Sequence, residues 1–318
     1  MRKTSRIFVA GTDTMIGQAL IRELRLQGYA SVIDQQPDLT NADDVDKFFG
    51  DARPEYVFMA AGKSGGIAAN QKYPADLMLN NLVVQSNVTV AAHRHAATKM
   101  LFLASSCSYP RAAPQPMRVE SLFSGPLEPT NEAYAVAKLS GITLCQAFRR
   151  QYGDRFIVGI PANAFGPGDD FDAEDSHVVA ALILKMHEAK TSEQPAVHVW
   201  GTGNARREFI FVDDLANACV FVMNEYEGEE PINLGGQEDV SIGQLAVTIK
   251  EVVDYRGELS FDTTRPDGMP LKGLDSSPLR ALGWQPRTSL RDGLTATYEW
   301  FLNNKDERKP ALELAHVR

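Results

Sequence analysis

A tyrosine and a lysine lie four positions apart near the middle of the chain, at Tyr134 and Lys138. In a helix this spacing places both side chains on one face. A neighbouring ammonium favours a phenolate, so we expect Lys138 to lower the pKa of Tyr134 and to let the phenol exchange a proton with a substrate oxygen. Tyr-x-x-x-Lys alone is also typical of a half-exposed helix face. Ser105 favours a site, because it follows an apolar run at a predicted strand end where it can hold the same oxygen.

A glycine-containing loop at residues 11–17 lies between the apolar run 7–10 and an amphipathic stretch. This order predicts a strand, a tight loop and a helix whose N-terminal N–H groups can bind a pyrophosphate. Thr14 stands where a Gly-x-x-Gly-x-x-Gly pattern has its second glycine. The loop by itself is therefore also compatible with an ordinary turn between a strand and a helix.

Asp34 strengthens the prediction of a dinucleotide site. It ends the second predicted strand, where a carboxylate can accept hydrogen bonds from a ribose and repels a 2′-phosphate. Asp13 adds a second negative charge near the adenosine end, so these residues favour NAD(H) over NADP(H). The predicted cofactor contacts are Gly11, Asp13, Thr14, Met15, Ile16, Gly17, Asp34, Ala61 and Lys138.

The elements that must position these residues alternate between apolar strands and helical segments along the first half of the chain. This alternation indicates a parallel sheet covered on both faces. We predict an α/β fold with a Rossmann-type, doubly wound parallel sheet and a smaller, partly discontinuous C-terminal α/β substrate domain. Residues 1–166 with about 204–234 are expected to form the dinucleotide-binding domain. Residues 167–203 and 235–304 are expected to form the substrate domain, and 305–318 a loosely ordered tail.

Composition argues against several classes of function. The net charge of −9 does not suit a nucleic-acid-binding surface, which needs clustered Lys and Arg. Three scattered cysteines, Cys107, Cys145 and Cys219, suit neither a disulfide framework nor a four-ligand zinc site, and they indicate a reducing cytoplasm. The apolar run 7–10 is too short for a signal-peptide core or a membrane span. We expect no metal, no nucleic acid and no membrane as partners.

The N-terminal loop, the polar segment 105–110 and the Tyr134 and Lys138 pair together resemble the extended short-chain dehydrogenase/reductase superfamily in their order and spacing. Within that superfamily the chain is similar to the GDP-L-fucose synthase family as far as Asn304. That family acts on GDP-4-keto-6-deoxymannose, as an epimerase and then as a reductase. The resemblance is carried by residues 65–67 and 70, 73–76, 105–110, 128–132, 176–178, 200–203 and 207–209.

The resemblance implies two sets of catalytic residues. Carried over by position, Ser105, Tyr134 and Lys138 would perform the reduction, and Cys107 and His177 the epimerisation. A 4-keto group acidifies the hydrogens on carbons 3 and 5, and inversion there needs a base on one face and an acid on the other. We expect Cys107 to be the base and His177, which is easily protonated near neutral pH, to be the acid. Ser105 and Tyr134 are expected to hold the enolate oxygen.

The resemblance also implies a GDP-linked sugar as substrate, NADP(H) as the family's cofactor, and a homodimer that pairs through helices expected at 77–95 and 134–152. Arg207 suits a pyrophosphate, because its planar guanidinium can donate two parallel hydrogen bonds. The predicted substrate contacts are Asn163, Lys185, Trp200, Gly201, Thr202, Arg207 and Lys272.

The cofactor contacts depart from the family pattern. Asp13 stands where the family has an arginine in the loop, and Asp34, Gln35 and Gln36 replace basic residues after the second strand. This mismatch motivates a second hypothesis, a GDP-sugar epimerase that retains NAD and catalyses no net redox reaction. A third hypothesis is a binding subunit without catalysis, which the altered loop suggests and the intact catalytic residues oppose.

Overall fold

A computed structural model describes residues 1–172, 175–236 and 239–304 of the protein. The tail expected at 305–318 lies outside the described residues. The strands are β1 (Arg6–Ala10), β2 (Ser31–Ile33), β3 (Tyr56–Met59), β4 (Lys99–Leu103), β5 (Phe156–Pro161), β6 (Asn163–Phe165), β7 (Ala196–Trp200), β8 (Arg206–Arg207), β9 (Phe209–Phe211), β10 (Ile232–Leu234), β11 (Val240–Ser241), β12 (Glu258–Asp262) and β13 (Leu271–Lys272). The α-helices are α1 (Met15–Leu26), α2 (Ala42–Ala52), α3 (Ile67–Lys72), α4 (Pro74–Arg94), α5 (Glu132–Tyr152), α6 (Val178–Thr191), α7 (Val212–Glu225), α8 (Ile242–Val253), α9 (Ser277–Ala281) and α10 (Leu290–Asn304).

A six-stranded parallel sheet with the order β10-β5-β4-β3-β1-β2 forms the centre of the protein. Every residue of β4 and β5 is buried, because these strands are covered on both faces. This burial explains why their sequences are largely apolar instead of alternating, with Lys99, whose Nζ donates hydrogen bonds to the Met223 and Tyr226 carbonyls, as the exception. The predicted Rossmann-type sheet is confirmed.

The direction of the strand order reverses beside β1, because β2 lies on one side of it and β3 on the other. A crevice forms outside the carboxyl ends of the strands at such a reversal, and parallel sheets bind ligands there. Gly11 follows β1 in this crevice, and a Cβ on it would lie 2.7 Å from the nitrogen of Ala61 after β3. Its φ of +103° also favours glycine.

The buried apolar side chains form two clusters. One surrounds the six-stranded sheet, and the other joins helices α6, α8 and α10 to strands β7 and β9. Met269, Leu274 and Trp284 belong to the first cluster although they follow residue 235. The domain boundaries given above stay a prediction, because the final third of the chain contributes to both clusters. Within the described ranges, no helix is both long and apolar enough to cross a bilayer.

Helix α5 lies very close to strand β4. A Cβ on Gly141 of the helix would lie 2.7 Å from Cε1 of Phe102 and 2.8 Å from Oε1 of Gln85. The same close approach brings Nζ of Lys138 to 3.3 Å from the carbonyl oxygen of Leu103, at the end of the strand. Gly141 therefore allows α5 to lie close enough to β4 to place Tyr134 and Lys138 at the end of the strand.

We expect Gly141→Ala to lower the free energy of unfolding by about 1–3 kcal/mol, because the added methyl overpacks the contact with Phe102. Gly50→Ala in α2 is the matched control, since its Cβ would meet only the His95 ring, at 3.4 Å. Alanine there is expected to raise stability by up to about 1 kcal/mol through its helix propensity. Urea unfolding of both variants measures the difference, and equal effects in the two would contradict the packing argument.

Candidate active site

A cleft of about 1130 Å³ lies at the carboxyl ends of the sheet strands and brings most of the predicted site residues together. The predicted residues that line it are Asp13, Thr14, Met15, Ile16, Ala61, Ser105, Cys107, Tyr134, Lys138, Asn163, His177, Lys185, Trp200, Arg207 and Lys272. Gly11, Gly17, Asp34, Gly201 and Thr202 are not part of this lining. Residues from distant parts of the chain thus share one cavity.

Thr14 has a structural role that explains why it can replace a glycine. It is the N-cap of α1: its Oγ1 accepts a hydrogen bond from the Gly17 N–H at 3.0 Å and donates one to the Gly11 carbonyl at 2.8 Å. A Cβ on Gly17 would lie 2.6 Å from the carbonyl carbon of Gly11, so this position needs glycine. Met15 and Ile16 begin the helix and line the cleft, where helix N-termini attract phosphate. The loop therefore fits a dinucleotide pyrophosphate.

The adenosine end of the cofactor region is negatively charged. Asp34 directly follows β2 and pairs with Arg25, whose Nη2 is 2.5 Å from the carboxylate. Gln36 accepts a hydrogen bond from the Gly11 N–H at 2.8 Å and donates one to Asp13 at 3.1 Å, which ties the loop to the chain after β2. A 2′-phosphate bound here would lie next to the negatively charged Asp34. The neighbouring cation, Arg25, is already paired with that carboxylate.

The predicted reductase residues meet where β4 ends. Ser105 caps the 3₁₀ turn Ser106–Ser108, and its hydroxyl also hydrogen-bonds the Tyr134 phenol. Lys138 Nζ lies 5.9 Å from the Tyr134 ring centroid. Burial raises the pKa of Tyr134 well above its ordinary value, with a further contribution from Cys107, and burial lowers the pKa of Lys138 to about 8. The expectation that Lys138 lowers the pKa of Tyr134 is therefore wrong, because desolvation of the phenolate dominates.

Cys107 lies among hydrogen-bond donors. Nζ of Lys272 is 3.1 Å and Nδ2 of Asn131 is 3.2 Å from its Sγ. Burial opposes the thiolate, but Lys272, a hydrogen bond from Ser105 and the charge of Arg207 outweigh it, so that the pKa of Cys107 is lowered. Lys272, one of the predicted substrate contacts, also has its ammonium against the predicted base.

His177 immediately precedes α6, and its Nε2 lies 3.5 Å from the Ser64 hydroxyl. The loop before it packs on Gly66, whose N–H donates to the Asp175 carbonyl at 2.8 Å. A Cβ on Gly66 would lie only 3.3 Å from that oxygen, so a larger residue would displace the loop. Burial, followed by Lys272, lowers the pKa of His177 to about 4. The expectation that this site favours protonation of His177 near neutral pH is wrong, because both effects disfavour the imidazolium.

An aromatic ring and two cations lie at the far end of the cleft. Lys185 Nζ is 4.7 Å and the Arg265 guanidinium carbon 4.6 Å from the centroid of Trp200. Such cation–π contacts fix the positive charges in place. Together they form a region suited to an anionic nucleotide.

Arg207 and the turn after Trp200 are held by Asp267. The guanidinium of Arg207 donates to the Asp267 carbonyl at 3.1 Å, and the N–H and hydroxyl of Thr202 each donate to its carboxylate at 2.8 Å. Asn163 in turn donates to the Glu208 carbonyl at 2.8 Å. Gly201 and Thr202 thus belong to the turn and lie outside the cleft lining, whereas Asn163, Arg207 and Asp267 line the cleft.

Sequence reasoning missed several residues that contact or support predicted site residues, among them Ser64, Gly66, Asn131, Arg265 and Asp267. Gly66 and Asn131 lie in segments that carry the family resemblance, which was the one available signal. No local pattern could reveal the contact between Lys272 and Cys107, which are 165 positions apart. Among the residues that the structure describes, no three His, Cys, Asp or Glu side chains form a metal site.

Known proteins match this sequence over nearly its full length. The model of the NAD dependent epimerase/dehydratase family matches residues 7–235. Putative GDP-L-fucose synthase 2 of Arabidopsis thaliana is 49% identical over 312 residues, which are 97% of this chain and 95% of that protein. GDP-L-fucose synthase of Escherichia coli (strain K12) is 44% identical over 313 residues, with coverage of 95% and 98%.

Solved structures of GDP-sugar enzymes also align with this chain over nearly its full length. A GDP-6-OMe-4-keto-L-xylo-heptose reductase from C. jejuni aligns with a TM-score of 0.91 at 33% identity, over 96% of this chain and 99% of that one. A GDP-L-fucose synthetase from Naegleria fowleri bound to NADP aligns with a TM-score of 0.88 at 28% identity, over 97% and 98%. The chain therefore belongs to the NAD dependent epimerase/dehydratase family and, within it, to the GDP-L-fucose synthase family.

Proposed function

We propose that this enzyme epimerises a GDP-4-keto-6-deoxyhexose at carbons 3 and 5 and then reduces it at carbon 4 with NAD(P)H. One observation carries the proposal. The cleft that holds the Ser105, Tyr134 and Lys138 core also holds a second pair of proton-transfer residues, Cys107 and His177. Relatives named GDP-L-fucose synthase, at 44% to 49% identity, support this substrate class.

In the epimerisation, the Cys107 thiolate removes a proton from a carbon beside the 4-keto group. The electrons of the broken C–H bond move to the keto oxygen, to which Ser105 and the neutral Tyr134 phenol donate hydrogen bonds. His177 then protonates the opposite face. The step needs the imidazolium of His177, which burial and then Lys272 make a minor form by lowering its pKa to about 4.

In the reduction, the high pKa of Tyr134 is an advantage. A phenol that keeps its proton can deliver it to the oxygen on carbon 4. Bound NAD(P)H supplies the hydride for that carbon. Lys138, with a pKa of about 8, is largely charged near neutral pH and stabilises the phenolate that Tyr134 leaves behind. The same ammonium can hold the hydroxyls of the nicotinamide ribose.

The two alternatives given above are not favoured. An epimerase without net redox chemistry is opposed by the named relatives, which are synthases, and by the reductases among the structural neighbours. A binding subunit without catalysis is opposed by the assembled proton-transfer residues.

We expect the enzyme to convert GDP-4-keto-6-deoxymannose when a reduced cofactor is present and, in deuterated water, to place deuterium at carbons 3 and 5. Tyr134→Phe is expected to slow the reduction about 10²–10⁴-fold. Exchange should continue at a lower rate, because the base and the acid of the epimerisation remain but one hydrogen bond to the keto oxygen is lost. Cys107→Ser is expected to lose the exchange, because a serine hydroxyl is a far weaker base. NMR spectra of the sugar and cofactor absorbance measure the two steps.

Tyr152→Phe is the matched control for Tyr134→Phe. It removes an exposed phenol at the end of the same helix and should leave both steps unchanged. Undiminished exchange in Cys107→Ser would contradict the assigned base. Inversion of GDP-mannose by the wild type without any reduced cofactor would contradict the proposed reaction.

We further propose that the enzyme prefers NAD(H) within the NAD(P)(H) cofactors of its family. Asp34 supports this preference, because its carboxylate can bind a ribose diol and repels a 2′-phosphate. Gln36 supports this preference too, because its side chain, which hydrogen-bonds Asp13, is neutral and offers no positive charge to bind a 2′-phosphate.

Titration with NADH and NADPH is expected to show tighter binding of NADH by about tenfold, the effect of one unfavourable charge contact. Asp34→Ala should lose most of this preference, because it removes the repulsion and releases Arg25. Asp43→Ala removes an exposed carboxylate from the first turn of α2 and serves as the control of equal charge. Tighter binding of NADPH by the wild type would overturn the proposed preference.

A cytoplasmic location is proposed together with this function. All three cysteines are free thiols, and two of them, Cys145 and Cys219, are buried. This usage is typical of proteins that fold and act in a reducing compartment. The proposed substrate and cofactors are water-soluble, so the reaction itself needs no membrane or nucleic-acid partner.

We also propose a homodimer that pairs through α4 and α5. Leu79 and Val90 on α4 and Val136 on α5 are exposed apolar side chains, which a second copy could cover. Light scattering is expected to give twice the chain mass, and Val90→Glu should shift the protein to one copy. Val247→Glu, at an exposed valine on α8, is the control that should keep the dimer. A wild-type protein with the mass of one chain would exclude this assembly.

A further inference from the structure

The sulfur of Cys107 receives two hydrogen bonds from nitrogen donors. Lys272 Nζ lies 3.1 Å and Asn131 Nδ2 3.2 Å from Sγ, and they come from β13 and from the residue before α5. A protonated thiol is a weak acceptor, whereas a thiolate is a charged one. Two donors converging on one sulfur match the needs of the anion.

Lys272 is placed to serve this sulfur. Its side chain is buried, and among the described residues no carboxylate lies within ion-pair distance of its ammonium. The register of β13 on β8 places Lys272 directly beside Arg207. A buried ammonium is costly without an anionic partner, and the Cys107 thiolate supplies one.

We propose that Lys272 is a positioning residue that holds Cys107 as a thiolate, so that the base of the epimerisation is charged before the substrate binds. The catalytic part of this inference rests on the proposed function, whereas the thiolate itself does not. Lys272 acts through Cys107 and keeps its own proton throughout the reaction.

The charged and titratable groups around Cys107 agree with this assignment. Lys272 and Arg207 are the cations, and Tyr134, held neutral by burial, is the nearest phenol. Glu128, whose charge acts on Arg207, is paired with Arg111, at 3.3 Å. The pKa of Cys107 is lowered although its burial alone would raise it. The positive groups therefore outweigh the desolvation of the sulfur.

Lys272 also affects the second acid–base residue, because its charge helps to lower the pKa of His177. One ammonium thus favours an anionic Cys107 and a neutral His177. In the proposed step an S–H bond forms as the C–H bond beside the keto group breaks. The electron pair moves to the keto oxygen, and Cys107 then releases this proton to solvent, which restores the thiolate for the second of the two carbons.

Alkylation by iodoacetamide tests the thiolate without any sugar nucleotide. Only Cys107 lines the cleft, and burial raises the pKa of both Cys145 and Cys219, so one site should react. We expect the wild-type rate to have its midpoint at a pH below the ordinary thiol pKa of about 8.5. Lys272→Met should raise this midpoint by at least about one pH unit, and so slow alkylation near pH 7 about tenfold.

Three variants make the result specific. Lys272→Arg keeps a cation and should retain most of the low midpoint, and Cys107→Ser should abolish the labelling. Lys185→Met removes a cation from the same cleft, beside Trp200, and should leave the alkylation midpoint unchanged. A wild-type midpoint at or above about 8.5 would overturn the proposal even if Lys272→Met failed to fold. The same midpoint in the wild type and a folded Lys272→Met would overturn it as well.

The pH profile of deuterium exchange connects the thiolate to catalysis. A thiolate is present above its pKa, so exchange should rise through the alkylation midpoint, and this rise should move to higher pH in Lys272→Met. A residue that only supported the fold would lower exchange without moving the rise. If alkylation shows the thiolate but GDP-4-keto-6-deoxymannose is not converted, then the proposed function fails and the role of Lys272 toward Cys107 stands.

Discussion

Helix α5 lies against strand β4 at a distance that only a glycine at position 141 allows. Ser105 lies two residues beyond the end of the strand and the helix carries Tyr134 and Lys138, so this one contact fixes three of the candidate catalytic side chains relative to each other. Lys138 is anchored on the strand by its hydrogen bond to the Leu103 carbonyl. Precise placement matters here, because proton transfer needs heavy atoms within hydrogen-bond distance.

Burial then decides the acid–base character of the cleft. It keeps the proton on Tyr134, brings the pKa of Lys138 to about 8, and leaves His177 neutral with a pKa of about 4. Cys107 is the exception, because cations near its sulfur outweigh the cost of desolvation. A neutral phenol and a charged thiolate are the protonation states that a reductase acid and an epimerase base require.

The cofactor region shows how a family pattern can change while its geometry survives. Thr14 replaces a glycine, and its hydroxyl caps α1 and closes the loop on Gly11. Gln36 holds the same loop from the side of β2. The backbone that would bind a pyrophosphate is thus preserved, while Asp13 and Asp34 bring carboxylates to the same region, Asp34 in a pair with Arg25. Loop geometry and local charge can change separately, because one depends on backbone packing and the other on a few surface side chains.

The sequence by itself determined the parallel sheet, because apolar strands that alternate with helical segments form a local pattern. It also supplied the candidate site residues, through the glycine loop, the Tyr-x-x-x-Lys spacing and the family resemblance, which alone pointed to Cys107 and His177. Tertiary structure decided their protonation. Sequence reasoning had Lys138 lowering the pKa of Tyr134, whereas burial raises it. It placed Lys272 among the substrate contacts without its contact to the Cys107 sulfur, which the pairing of β13 with β8 brings within reach. Desolvation and charge at such contacts depend on residues far apart in the chain, and no local pattern of side chains encodes them.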